Sequence, residues 1–298
     1  MEKLKFKIKN ELFTIWHFRG PPTGPVMHWA HANGFNGPTY HFLLESLSKH
    51  CTVYAWDARK HGGTQGVSKP VKEKIFQTYS NDLQSVIETL YRRHEKPIIL
   101  AGHSFGASLC VGVESQLQGK ISRLILCDPV LFTPLYSWLS VLGRFLKLKK
   151  PREIYFAQNA LKRRNLWNNF DEIYDSYQGR NLFKKWDHVS LKNYIKFGTQ
   201  RFGHKLQLSC HPEIESMIFS QCEKEFMSKR IRNLSTSTSL FLAQKGSPAF
   251  AKSVFAACNT KVDIIMMNDS SHFFPVENYK ALNKQIIKYI SAPNDLYN

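Results

Sequence analysis

The chain has little of what marks a secreted, membrane-spanning or metal-binding protein. Its six cysteines include no Cys-x-x-Cys pair, and several lie in apolar stretches, which indicates reduced and buried thiols in a cytoplasmic protein. The twelve histidines include no HExxH motif and no Cys/His spacing that suits zinc. We therefore expect no metal site and no cofactor.

Long hydrophobic runs are also missing. The longest, over residues 130–143, is shorter than a membrane span and is followed by Arg144. The first eight residues alternate charged with apolar side chains, which predicts a strand and not a secretory signal peptide.

Acidic residues are scarce as well, with 23 Asp and Glu against 41 Lys and Arg, for a net charge of +18. Such an excess favours contact with nucleic acid, anionic lipid or an anionic substrate, although a lysine-rich proteome produces it too. Since no RNA-binding or helix-turn-helix motif is present, we expect no nucleic-acid partner.

Strand and helix patterns alternate over residues 1–130 and 237–298. This alternation predicts an α/β fold with a mostly parallel, doubly wound sheet. Between these parts the alternation stops, and residues 131–236 are rich in aromatic side chains with helical patterns. We interpret 131–236 as a helical cap, or lid, inserted into a core of 1–130 and 237–298.

One motif carries most of the chemistry. Residues 98–101 are apolar and lead into Gly102-His103-Ser104-Phe105-Gly106, after which a small-residue apolar helix is predicted. A strand, Gly-x-Ser-x-Gly and a helix form the nucleophile elbow, a turn that lifts the serine hydroxyl clear of the sheet. Ser104 is therefore the predicted nucleophile, and the Phe105 N–H is a predicted oxyanion donor.

Several motifs in the same order resemble the α/β-hydrolase superfamily, in particular its serine esterases and lipases with a helical cap. They are His31-x-Asn33-Gly34-Phe35, Asp57-x-Arg59-x-His61-Gly62, the elbow itself and Ser271-His272. The resemblance implies a Ser-His-acid triad with His272 as the general base. His103 and Asp57 are interpreted as structural, Asp57 by holding the loop of Arg59 and His61.

The acid of the triad departs from the usual pattern. In many relatives it follows the seventh strand, but residues 243–248 contain no carboxylate here. Some members of the superfamily place it after the sixth strand, so Asp128 is the predicted acid that orients His272. Asp269 and Asp263 remain alternatives, and Asp263 is the poorer one because it lies inside a strand.

The resemblance also suggests the remaining site residues. The second oxyanion donor is predicted to be the N–H of Phe35, with Gly34 as the alternative. The predicted substrate-binding residues are Asn33, Gly34, Phe132 and Trp138.

A serine nucleophile predicts hydrolysis of a carboxylic ester through an acyl-enzyme intermediate, and the aromatic cap favours a largely apolar small molecule. The basic segment 139–152 leaves open a lipase or acyltransferase at an anionic membrane surface. A thioesterase and a catalytically inactive ligand-binding relative are further alternatives, and the oligomeric state is open.

Overall fold

The computed structural model describes residues 1–131, 152–221, 227–245, 255 and 262–291. Its strands are β1 (Glu2–Ile8), β2 (Glu11–Phe18), β3 (Val26–Ala30), β4 (Thr52–Trp56), β5 (Ile98–His103), β6 (Ile121–Cys127), β7 (Leu166–Trp167), β8 (Thr199–Phe202), β9 (Lys205–Leu208), β10 (Thr238–Ala243) and β11 (Val262–Met267). Its α-helices are α1 (His41–Leu47), α2 (Ile75–His94), α3 (Phe105–Val113), α4 (Arg152–Leu161), α5 (Phe170–Gln178), α6 (His188–Gly198), α7 (Pro212–Gln221), α8 (Met227–Arg232), α9 (Phe274–Glu277) and α10 (Tyr279–Ser291).

A large mixed sheet forms the centre of the molecule. Among the described residues its strand order is β1-β2-β4-β3-β5-β6-β10-β11. The pairs from β4 through to β11 are parallel, whereas β1 pairs antiparallel with β2 and β2 antiparallel with β4. The predicted mostly parallel sheet is therefore confirmed, and the opening hairpin turns at Lys9, whose φ is 54°.

Both faces of this sheet are covered. Along β5, Ile98 and Leu100 belong to one hydrophobic cluster, and Ile99 and Ala101 belong to the other, because alternate side chains of a strand point to opposite faces. Helices α2 and α3 pack into the first cluster, and α1 and α10 into the second. This is the doubly wound arrangement that the alternation of patterns predicts.

The predicted cap lies between β6 and β10, and the structure describes it from residue 152 onward, apart from 222–226. It contains α4 to α8, as expected, but also a small antiparallel sheet of order β7-β9-β8 that was not predicted. These strands have only two to four residues, and β8 is half-exposed to exposed, so even the alternation of apolar and polar residues in β9 is too short to predict a sheet. The boundaries 131 and 236 stay predictions.

The cap packs onto the core through both hydrophobic clusters. Ile214 and Ile218 of α7 join the cluster of α2 and α3, whereas Trp167 and Tyr194 join the cluster of α1. Shared packing of this kind fixes the position of the cap over the sheet. No helix in the described ranges is long and apolar enough to cross a membrane.

Candidate active site

The nucleophile elbow has the geometry that its motif predicts. Ser104 joins β5 to α3 with φ 55° and ψ −120°, a backbone conformation that is strained for a residue with a side chain. A Cβ at Gly102 would lie 2.8 Å from the Ala107 nitrogen, and one at Gly106 would lie 2.3 Å from the Ala30 carbonyl oxygen. Both flanking positions therefore require glycine for steric reasons.

Three predicted side chains form one hydrogen-bonded row. The Ser104 Oγ lies 3.0 Å from His272 Nε2, and His272 Nδ1 lies 2.6 Å from Asp128 Oδ2. The Asp128 side chain is fully buried and that of His272 is 17% exposed. The row therefore has the order and spacing of a nucleophile, a general base and an orienting acid.

Asp128 reaches His272 because β6 and β10 are neighbours in the sheet. It follows β6 directly, with φ 46°, and its backbone N–H donates to the Phe241 carbonyl at 2.8 Å. Its Oδ1 accepts from the Ala243 N–H at 3.4 Å. The carboxylate is thus held at the end of β10, the strand after which the sequence offers no acid.

Neither alternative acid occupies this place. Asp269 is exposed, and its backbone N–H donates to the Gln244 side chain. Asp263 lies within β11, as expected from the sequence. His272 contacts Asp128 instead of either one.

His103 is structural, and it supports the loop of His272. Its Nε2 lies 2.8 Å from the His272 carbonyl oxygen, so this nitrogen carries the proton. Burial, together with the nearby His272, holds its pKa well below the usual range, and Nδ1 accepts from the Tyr40 hydroxyl at 2.8 Å. The same hydroxyl accepts from the Ala32 N–H at 3.1 Å. Tyr40 and His103 therefore link the loop after β3 to the loop that carries His272.

In the loop after β3, both candidates for the second oxyanion donor already make hydrogen bonds. The Phe35 N–H donates to the Ala32 carbonyl at 3.1 Å, and the Gly34 N–H donates to His61 Nε2 at 3.1 Å. Both N–H groups therefore already have an acceptor: that of Phe35 within a tight turn of the same loop, and that of Gly34 on a side chain of the loop after β4. Phe105 is the first residue of α3, so its N–H has no acceptor within the helix.

A cavity of about 390 Å³ opens beside Ser104 and His272. Its lining is mostly apolar and aromatic, with contributions from both core and cap: Ala32, Asn33, Phe35, Ser104, Phe105, Val130, Phe156, Asn159, Ala160, Arg163, Tyr177, Arg180, Leu182, Phe183, Tyr194, Glu215, Ile218, Phe219, His272 and Phe273. This is the size and character of a site for a small molecule.

The predicted substrate-binding residues divide into three groups. Asn33 lines the cavity, and its Nδ2 donates to the Glu215 carbonyl at 3.0 Å. Gly34 does not line it, because this residue lies behind the wall, where an added Cβ would be 3.0 Å from Glu215 Oε1. Phe132 and Trp138 lie outside the described residues, as does the basic segment apart from residue 152.

A charged group in the wall was not predicted from the sequence. Arg163 NH1 donates to Glu215 Oε2 at 2.6 Å, and its NH2 donates to the hydroxyls of Tyr177 and Tyr194. Burial disfavours the Arg163 charge, but these partners outweigh burial and raise its pKa well above the ordinary value. Arg163 and Glu215 are 52 residues apart in the aromatic-rich segment, and no sequence motif connects them.

Asp57 is structural, as expected, and its carboxylate holds the loop of Arg59 and His61 through the Gly63 N–H. It accepts from the N–H groups of Gly37 and Gly63 and from the Trp16 indole. Burial raises its pKa to about 6. The Arg59 side chain forms ion pairs with Asp82 and Glu11. Within the described ranges, no group of three or more His, Cys, Asp or Glu side chains is arranged to hold a metal ion.

The parallel sheet, the serine elbow and the inserted cap together define an α/β hydrolase. A family model described as "Alpha/beta hydrolase family" matches residues 29–284, and the chain belongs to this family.

Curated proteins show partial sequence similarity, among them a methylesterase and a succinate-derivative hydrolase. Protein phosphatase methylesterase 1 of Homo sapiens is 26% identical over 165 residues, which are 54% of this chain and 42% of that protein. The 2-(acetamidomethylene)succinate hydrolase of Mesorhizobium japonicum is 31% identical over 112 residues, which are 38% of this chain and 37% of that protein. The matches thus span about two fifths of the length of these relatives.

Solved structures are similar over nearly the whole chain, among them that of a succinate-derivative hydrolase. The structure of E-2-(acetamidomethylene)succinate hydrolase superposes with a TM-score of 0.77 at 17% identity, and covers 98% of this chain and 99% of that one. At this identity the similarity shows the shared fold alone.

Proposed function

We propose that the chain is a serine hydrolase that cleaves a carboxylic ester of a small molecule through an acyl-enzyme intermediate. The observation that carries the proposal is the hydrogen-bonded row of Ser104, His272 and Asp128 at the edge of the cavity. The names of the partial relatives, a methylesterase and a hydrolase, support the same reaction class.

In the first step, the Ser104 Oγ attacks the carbonyl carbon of the ester while His272 Nε2 takes the hydroxyl proton. The buried Asp128 carboxylate accepts from His272 Nδ1, which fixes the tautomer and stabilises the imidazolium that forms. His272 then gives the proton to the leaving alcohol. A water molecule attacks the acyl-enzyme by the same route and releases the acid.

The negative charge of the tetrahedral intermediate requires donors beside Ser104. The Phe105 N–H, at the start of α3, supplies the first one. For Phe35 to be the second donor, its N–H must be shared between the Ala32 carbonyl and the oxyanion. The aromatic and aliphatic walls favour a substrate whose body is largely apolar.

Labelling with a fluorophosphonate probe tests the proposal, because covalent reaction requires an activated serine hydroxyl. We expect the unmodified chain to be labelled at Ser104 and to hydrolyse p-nitrophenyl acyl esters, and we expect Ser104→Ala to do neither. Ser85→Ala, on α2, is the matched control and should behave as the unmodified chain. A chain that is neither labelled nor active would support the ligand-binding alternative instead.

A further inference from the structure

The charged side chains that line the cavity are unevenly matched. Besides His272 they are Arg163, Arg180 and Glu215, so that two guanidinium groups face one carboxylate. Glu215 is engaged by Arg163, whose other donors reach the hydroxyls of Tyr177 and Tyr194. Among the residues that the structure describes, the wall therefore has one positive charge in excess, on Arg180.

Arg180 is held against the wall but has no acidic partner in the described part of the chain. Its Nε donates to the Ser176 carbonyl at 2.9 Å, and its guanidinium carbon lies 4.9 Å from the centre of the Tyr177 ring. These two contacts orient the stem and one face of the group. The two terminal nitrogens donate to no described residue, and together they match the two oxygens of a carboxylate.

The position of Arg180 suits the recognition of an anion. The residue is exposed, so it lies at the margin of the cavity, where binding an anion requires little loss of hydration. The lining that Arg180 shares with Ser104 is otherwise mainly apolar, with Phe156, Phe183 and Phe219 among the side chains. The net charge of +18 attracts anions to the whole surface.

We propose that the substrate is an ester whose apolar body also carries a carboxylate, and that Arg180 binds this carboxylate. The inference rests on the proposed function and narrows its substrate class. It refines the expectation of a largely apolar substrate, because the apolar walls contact the body of the molecule while Arg180 selects its charged end.

Binding is measured first, by calorimetry on Ser104→Ala so that no turnover intervenes. The probes are monomethyl adipate and methyl adipamate, which differ only in a terminal carboxylate or carboxamide. We expect monomethyl adipate to bind about tenfold more tightly, and Arg180→Ala to remove the difference, whereas Arg180→Lys keeps part of it. Arg164→Ala, which removes a cap arginine outside the cavity lining, should leave the preference unchanged.

Equal affinity for the two probes, no binding of either, or a preference that survives Arg180→Ala would overturn the inference. The same pair as p-nitrophenyl esters then measures turnover by the active chain. In this assay, Arg180→Ala should raise KM for the anionic ester about tenfold. The kcat for the anionic ester, and both kcat and KM for the neutral ester, should change less than twofold. If calorimetry shows the preference but neither ester is cleaved, the proposed function fails and the carboxylate site stands. If both esters are cleaved without any preference, the proposed function stands and the carboxylate site fails.

Discussion

The carboxyl edge of the sheet and the cap above it differ in how strictly geometry dictates their residues. At the sheet edge, Ser104 and Asp128 both have positive φ, and Gly106 touches neighbouring backbone. In the cap, a Cβ at Gly179 would meet nothing within 4 Å, and the wall of the cavity includes exposed side chains such as Phe156 and Arg180. The sheet edge therefore holds the reacting groups in one arrangement. The cap is under weaker steric constraint, so its side chains, which contact the substrate, can differ more freely.

The largest effect is expected from Asp128→Asn. Asparagine tolerates the positive φ of this position, but its amide offers a donor to His272 Nδ1 and favours the wrong tautomer of the base. We expect kcat to fall about 10⁴-fold with little change in folding. Esterase kinetics and urea unfolding measure the two effects.

Asp269→Asn is the matched control, since Asp269 also has positive φ but is exposed. Its activity should stay within twofold of the unmodified chain. Similar losses in both variants would contradict the assignment of Asp128.

Alanine at two glycines compares the edge with the cap directly. Gly106→Ala places a methyl group against the Ala30 carbonyl, so we expect the free energy of unfolding to fall by about 3 kcal/mol or more. Gly179→Ala, with φ −80° and open space, should change stability by less than about 0.5 kcal/mol. Denaturant unfolding measures the loss of stability in both variants. Equal losses would contradict the stricter steric constraint that we infer for the sheet edge.

The core should also contain a residue that makes the stability of the folded protein fall in acid. Burial lowers the pKa of His28 to about 3, and neither ring nitrogen has a hydrogen-bond partner among the described residues. The folded protein thus keeps this imidazole neutral, while the unfolded chain takes up a proton below its ordinary pKa of 6.5. Stability from this residue is present above about pH 6.5 and is lost as the pH falls toward 3.

We expect His28→Leu to remove about 2 kcal/mol of the stability difference between pH 7.5 and pH 5, as measured by urea unfolding. His204→Gln, which changes an exposed histidine of the cap, should leave that difference as it is. An unchanged pH dependence in His28→Leu would show that another group carries it.

The smallest effect is expected from removing the hydroxyl of Tyr40, in the core. Tyr40→Phe leaves the Ala32 N–H and His103 Nδ1 without their shared hydroxyl, so we expect a loss of about 1 kcal/mol in stability and about fivefold in kcat. Tyr54→Phe serves as the control, because it removes a hydroxyl that lies 3.0 Å from His94 Nε2 and is not part of the cavity lining. Its kcat should not change, and a matching loss there would argue against a positioning role for Tyr40.

The parts of the fold that depend on near neighbours in the chain were predictable. The opening strand, the alternation of strands and helices, and the elbow at Ser104 all follow from local patterns. The small sheet β7-β9-β8 was missed, because its strands have only two to four residues and are partly exposed, which is too short for a periodic pattern to be distinctive.

The site was predictable to a different extent at each position. Asp128 and His272 were named, but they lie 144 residues apart, and only the pairing of β6 with β10 distinguishes Asp128 from Asp269 and Asp263. The loop donors were predicted from a family pattern that says nothing of the turn in which Phe35 pairs with Ala32. The Arg163–Glu215 pair has no motif at all.

The sequence by itself determined the elbow and its serine, because the need for glycine at positions 102 and 106 is a steric consequence of one sharp turn. It also determined that the usual acid position is empty. Only the tertiary structure decided which carboxylate meets His272, which amides of the loop after β3 are already paired, and which cavity-lining arginine has no acidic partner among the described residues. Those outcomes depend on contacts between distant segments, and such contacts are set by how the sheet and the cap pack.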